Sequence, residues 1–206
     1  MVDFYQGLDP DSALEVGQLA RLVYELREHR RLVLQAHDVA DEAVLLERIG
    51  AGAADEHPGY ESYLAARILG DTHAAARAAL SARLGQGEPK MSLHLELCAA
   101  LERHCAGRLA GAVELRQDAI LVRLDNGVEL QVRFAAADAY SLRWKHGGAE
   151  LGIDTAPCHP QLATSPNHLH LADGRVIADP LTRPGAEPWD NLRAVADAVL
   201  ANPLLK

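Results

Sequence analysis

His168 and His170 stand two apart in the run Pro166-Asn167-His168-Leu169-His170-Leu171. Side chains two apart on a strand point the same way, so a strand here presents two imidazoles to one face. Upstream, Ile153-Asp154 reads as a strand end, and a Pro-bounded loop carrying Cys158 and His159 connects it to the histidines. Two chemistries suit this group. In the first, His168, His170 and His159 hold a divalent transition metal (Zn, Ni, Mn or Fe), with Asp154 as a further ligand or as the group that orients an imidazole. In the second, no metal is needed: His168 and His170 form an acid/base pair, His159 assists, and Asp154 orients. Against both stands the plain reading of half-buried histidines that each satisfy one hydrogen bond. A cupin centre is rejected, because Leu171-Ala172-Asp173-Gly174 supplies no Glu ligand after the H-x-H. Cys158 beside His159 reads as a packed thiol, since sequence neighbours on a loop rarely form a nucleophile–base pair.

Arg123, Arg133, Arg143 and Lys145 fall at alternating positions of neighbouring strands. Arg143 and Lys145 are the candidate substrate contacts, for a phosphate. The preferred reading of the whole stripe is a solvated face with cross-strand pairing to Glu129 and Asp138.

Periodicity outlines the scaffold around these groups. Asp9-Pro10 suits an N-cap and N1, and an amphipathic helix runs from there to Ala36. Its apolar stripe is either core-facing or a dimerisation seam. Asp38 is the expected cap of a second helix over Val39–Ile49. Residues 50–58 (GAGAADEHP) break the pattern, and a third, Ala-rich helix begins near Gly59 or Tyr60 and ends at Leu84. The first and third helices are expected to form an antiparallel hairpin, and residues 1–8 an arm. Gly85–Lys90 reads as a linker. A fourth helix, Ser92–Cys105, precedes a switch to period 2. Asp125-Asn126-Gly127 between apolar runs is a strong hairpin signal, Gly147-Gly148 gives a second turn, and Asp173-Gly174 a third. A last helix covers 188–200. The fold class is α+β: a helical hairpin (1–85), then an antiparallel β-meander of six or seven strands flanked by helices (91–206).

Composition narrows the function. The chain of 206 residues carries a formal charge of −9, net −6 over residues 1–90 and −3 over the rest, which argues against general affinity for nucleic acid. Aromatic residues make up 4%, leaving few rings on which bases stack. Three cysteines without a C-x-x-C pattern, and an N-terminus without a basic or apolar run, point to reduced thiols in the cytoplasm. No apolar stretch reaches the length of a membrane span.

At Ile153-Asp154, the Pro/His stretch Thr155–Pro160, and the Pro-x-His-x-His element Pro166–His170, the chain resembles TumE-like toxins of toxin–antitoxin modules. The resemblance covers roughly residues 110–202. It implies a toxin acting on RNA or translation, with a protein antitoxin as partner, and with Asp154, His159, His168 and His170 matching the family's polar pattern. The chain departs from that family in its acidity and its helical N-terminal half. The leading expectation is therefore metal-independent RNA cleavage by the histidines. The alternatives are a non-catalytic metal-binding protein, or an interaction module that forms homodimers through its N-terminal helices.

Overall fold

Two hairpin turns frame the sheet that carries the histidines. Gly127 takes a left-handed φ of 82° at the Asn126-Gly127 turn, and the Asn126 amide donates to the carbonyls of Val199 and Leu200. Gly147 and Gly148 likewise adopt positive φ, a conformation glycine reaches at no steric cost. In the computed structural model, which describes residues 9–206 except Gln86, seven antiparallel strands follow one another in sequence order. They are β1 (Glu114–Leu115), β2 (Ile120–Arg123), β3 (Glu129–Ala136), β4 (Ala139–His146), β5 (Ala149–Asp154), β6 (His168–His170) and β7 (Val176–Ala178). The fold is α+β, as the switch in periodicity predicts. The arm expected over residues 1–8 lies outside the described residues.

Helices cover both faces of this sheet. On one side lie α4 (Leu93–His104) and α5 (Pro188–Ala201). Leu97, Leu101, Leu192, Val195 and Val199 meet Leu142, Trp144, Ile153 and Leu169 in the main core. Full burial of each aliphatic side chain contributes about 1.5–3 kcal/mol, and the Trp144 indole N–H is satisfied by the Pro203 carbonyl at 2.8 Å. On the other side, α2 (Glu42–Gly50) and α3 (Glu56–Arg83) bury Leu45, Ile49, Tyr60 and Leu64 with Ala139 and Ala156. The long α1 (Pro10–Ala36) packs on α3. Leu26, with Leu22, Val23 and Val33, meets Leu69 and Ala76, so the stripe of α1 is covered within the chain. The ion pair Arg83–Glu15 joins the end of α3 to the start of α1, the antiparallel arrangement of a helical hairpin.

Two helix starts differ from the sequence reading. Asp41, not Asp38, caps α2, its carboxylate accepting from the Val44 N–H at 3.0 Å. Asp38 itself sits at a φ of 54°. The third helix starts earlier, at Glu56, and is broken at once: His57 is extended (φ −116°, ψ 131°) and Pro58 is also non-helical. Clash with the proline ring disfavours the helical region for the residue before it. Glu56 and His57 are thereby set off from the helix body that continues from Gly59. Among the described residues, no helix is long and apolar enough to cross a membrane.

Candidate metal centre

Register places the first three groups. In β5, Leu151 and Ile153 enter the main core, so Gly152 and Asp154 face the opposite side. Asp154 pairs with His168, and Gly152 with His170. Asp154, His168 and His170 therefore share the face toward α3. Gly152 leaves space for Arg143, its partner on β4; a Cβ there would lie 3.1 Å from the Arg143 Cγ.

The loop and the kinked start of α3 bring the rest. His159 places its Nε2 3.2 Å from Glu56 Oε2. His168 Nε2 lies 2.9 Å from Glu56 Oε1 and 3.1 Å from Asp154 Oδ1. His170 Nε2 lies 3.2 Å from Asp154 Oδ2 and 3.7 Å from Glu56 Oε1. His57 Nε2 stands 3.4 Å from His170 Nε2. Four imidazoles thus converge on two carboxylates. Of these six residues, Glu56 and His57 were not singled out from the sequence. They fall in the stretch Asp55-Glu56-His57-Pro58, which reads as a helix breaker; the signal was an adjacent Glu-His pair just before a proline.

Surrounding groups fix the rings. His168 Nδ1 donates to the Pro166 carbonyl at 2.8 Å, so its Nε2 points at the carboxylates. A bare lone pair there would face two negative oxygens; the position demands a proton or a cation. His57 Nδ1 lies 2.9 Å from Glu61 Oε1, and Arg143 anchors Glu61 at 2.7 Å. A carboxylate or carbonyl on the far ring nitrogen is the usual support of a metal-binding imidazole. Behind His168, the buried Asn167 donates to the Tyr140 and Thr182 hydroxyls at 2.7 and 2.8 Å. Thr155 braces the other end, accepting from the Tyr140 N–H at 3.0 Å and hydrogen-bonding the Tyr60 hydroxyl at 2.7 Å.

The electrostatics are those of a strongly coupled cluster. Burial disfavours charge on the His168 and His170 rings, but hydrogen bonds to Asp154 and Glu56 override it and push them up to about 10 and about 9. Burial likewise opposes ionisation of Glu56 and Asp154, and the same contacts hold both well below the usual carboxylate range. Burial, with the charges of Glu56 and Asp154, pushes the Cys158 thiol up to about 11. That thiol points to the Ile49 carbonyl at 3.8 Å, as a packed cysteine does. His168 and Asp154 are sealed, whereas Glu56, His159 and His170 keep 20–22% of their side-chain surface exposed.

Arg143 and Lys145 are both paired with acids. Arg143 meets Glu61 and Glu150, and Lys145 meets Glu150 at 3.3 Å. Arg123 lies 3.7 Å from Glu129, and Arg133 is held by Asp118 rather than Asp138. Arg123, Arg133, Arg143 and Lys145 line a cleft of about 640 Å³ along the sheet, with His57 and Glu61 also in its wall. On the far face, His104 of α4 pairs with Asp197 of α5 near the surface, at 2.7 Å. The chain has no significant match to a protein-family model, to a curated protein or to a solved structure.

Proposed function

We propose that the protein is a metalloprotein that holds a divalent transition metal among His159, His168, His170 and Glu56, and that the ion serves hydrolysis. One observation carries this reading: the ligating atoms of these four residues all lie within 4.8 Å of one another. Three imidazoles with a carboxylate suit Zn, Mn, Fe or Ni. The partly exposed edge at Glu56, His159 and His170 leaves a coordination position that solvent can reach, as a catalytic ion requires. Such an ion would lower the pKa of a bound water and polarise the bond to be cleaved.

This reading is preferred to metal-free acid/base cleavage by His168 and His170. That mechanism needs one neutral imidazole as base, and here both rings face carboxylates that favour their charged forms. The resemblance to TumE-like toxins supplies RNA as the first substrate class to assay and a protein antitoxin as a partner to seek. The test is cleavage of a labelled RNA pool, and of a chromogenic phosphodiester, by protein stripped with chelator and then reloaded with Zn(II) or Mn(II). Activity that vanishes on stripping and returns on reloading is expected. Cleavage unaffected by stripping would overturn the metal reading in favour of the imidazole pair.

A further inference from the structure

Each carboxylate in the centre turns its two oxygens to different imidazoles. Asp154 Oδ1 faces His168, while Oδ2 lies 3.2 Å from His170 and 3.7 Å from His57. Glu56 Oε2 faces His159, while Oε1 faces His168 and His170. A carboxylate aimed this way is set to bridge two ions. We infer that the centre is dinuclear, with one ion on His159 and His168, a second on His57 and His170, and Asp154 and Glu56 spanning both. This rests on the proposed metal reading and extends it to a second position, which His170 then serves, while Asp154 joins His159, His168 and Glu56 at the first.

The second position stands on its own geometry. Bonds of about 2.0–2.2 Å to a tetrahedral ion put its ligand atoms roughly 3.3–3.6 Å apart. The three gaps among His57 Nε2, His170 Nε2 and Asp154 Oδ2 are 3.4, 3.2 and 3.7 Å. The ligating atoms of His57, His170, Asp154 and Glu56 form a second group of four within 4.8 Å, sharing only Glu56 and His170 with the first. His57 also carries the support expected of a ligand, because Glu61 holds its Nδ1 and Arg143 holds Glu61. A histidine present only for packing has no use for that second layer. His57 also lines the cleft along the sheet, so the second ion borders the space in which a molecule can be held. Ions about 3.5–4 Å apart clamp both the attacking and the leaving oxygen of a displacement at phosphorus, which makes a phosphate ester the ligand class for this cleft.

The test is the stoichiometry of Mn(II) in stripped, reloaded and desalted protein, read by elemental analysis and by electron paramagnetic resonance. Wild type is expected to hold two ions per chain, with a spectrum broadened by exchange coupling. His57→Ala and the conservative His57→Gln are expected to hold one, with the six-line signal of an isolated ion. Circular dichroism checks that both variants fold. Glu61→Gln, a change in a positioning residue, is expected to weaken the second ion by about 10–100-fold and leave the first unchanged. One ion in wild type and one in His57→Ala would overturn the dinuclear centre while keeping the single-metal reading. Two ions in wild type and two in both His57 variants would remove His57 from the centre. No ion in wild type would overturn both readings.

Discussion

Asp154 and His168 sit directly opposite each other across β5 and β6, with Asp154 Oδ1 3.1 Å from His168 Nε2. Both side chains are almost wholly withdrawn from water. A buried carboxylate costs several kcal/mol unless it is paired or coordinated. The sheet register therefore builds a site that requires positive charge at one defined point, supplied by a proton or by a metal.

Replacing Glu56 tests the helical contribution to that point. Glu56→Gln keeps the shape and removes the charge shared by His159, His168 and His170. Metal affinity is expected to fall by at least about 10-fold, measured by competition with a chromophoric chelator. An unchanged affinity would detach α3 from the centre.

Metal should also stabilise the fold, because an ion that binds the folded chain alone shifts the equilibrium by mass action. Zn(II) at about 100 times its Kd should add about 2.7 kcal/mol, seen as a rise in Tm over chelator-treated protein. His168→Ala is expected to lose this increment, and a variant that keeps it would argue that the ion binds elsewhere.

Behind the centre, Asn167→Ala would leave the Tyr140 and Thr182 hydroxyls without their shared donor. Removing one partner of a buried polar group costs about 1–3 kcal/mol, so denaturant unfolding should show a loss of that size. Weaker metal binding should accompany it, since Asn167 immediately precedes His168 and these hydroxyls hold that stretch of backbone in place. Wild-type stability in this variant would show that the network is slack.

His94 sets a pH dependence away from the centre. Burial lowers its pKa, the hydrogen bond to the Arg116 carbonyl and the charges of Asp118 and Asp71 oppose that shift, and Arg133 reinforces it. Its Nδ1 is buried without a hydrogen-bond partner among the described residues, so protonation would create an unsatisfied buried donor. The folded pKa lies below the ordinary 6.5, hence the folded chain binds fewer protons than the unfolded one. The stabilisation is present above about pH 6.5 and is lost as pH falls through the folded value. His94→Gln is expected to flatten the difference in stability between about pH 7.5 and about pH 5, measured by urea unfolding of stripped protein. An identical slope in the variant would assign that dependence to other groups.

Much of the sheet was legible because its signals are local. Asn126-Gly127, Gly147-Gly148 and the alternation of Tyr140 to Lys145 each act within a few residues, and H-x-H on a strand needs only the period of two. The pairing of His168 with His170 on one face was legible for the same reason. Glu56 and His57 were not, because their role depends on where α3 lands on the sheet, a packing outcome separated from His168 by more than a hundred residues. The cap of α2 was misread because Asp38 and Asp41 offer the same side chain three residues apart, and only backbone geometry selects between them. The partners of Arg133 and Arg143 were missed where they lie off the neighbouring strand, on Asp118 and Glu61.

The most direct measurement is elemental analysis of protein purified without an affinity tag, beside the His168→Ala, His170→Ala double variant. At least one equivalent of a divalent transition metal is expected in the parent, and its loss in the double variant. A parent that is metal-free, fully stable and unable to take up Zn(II) or Mn(II) would contradict it.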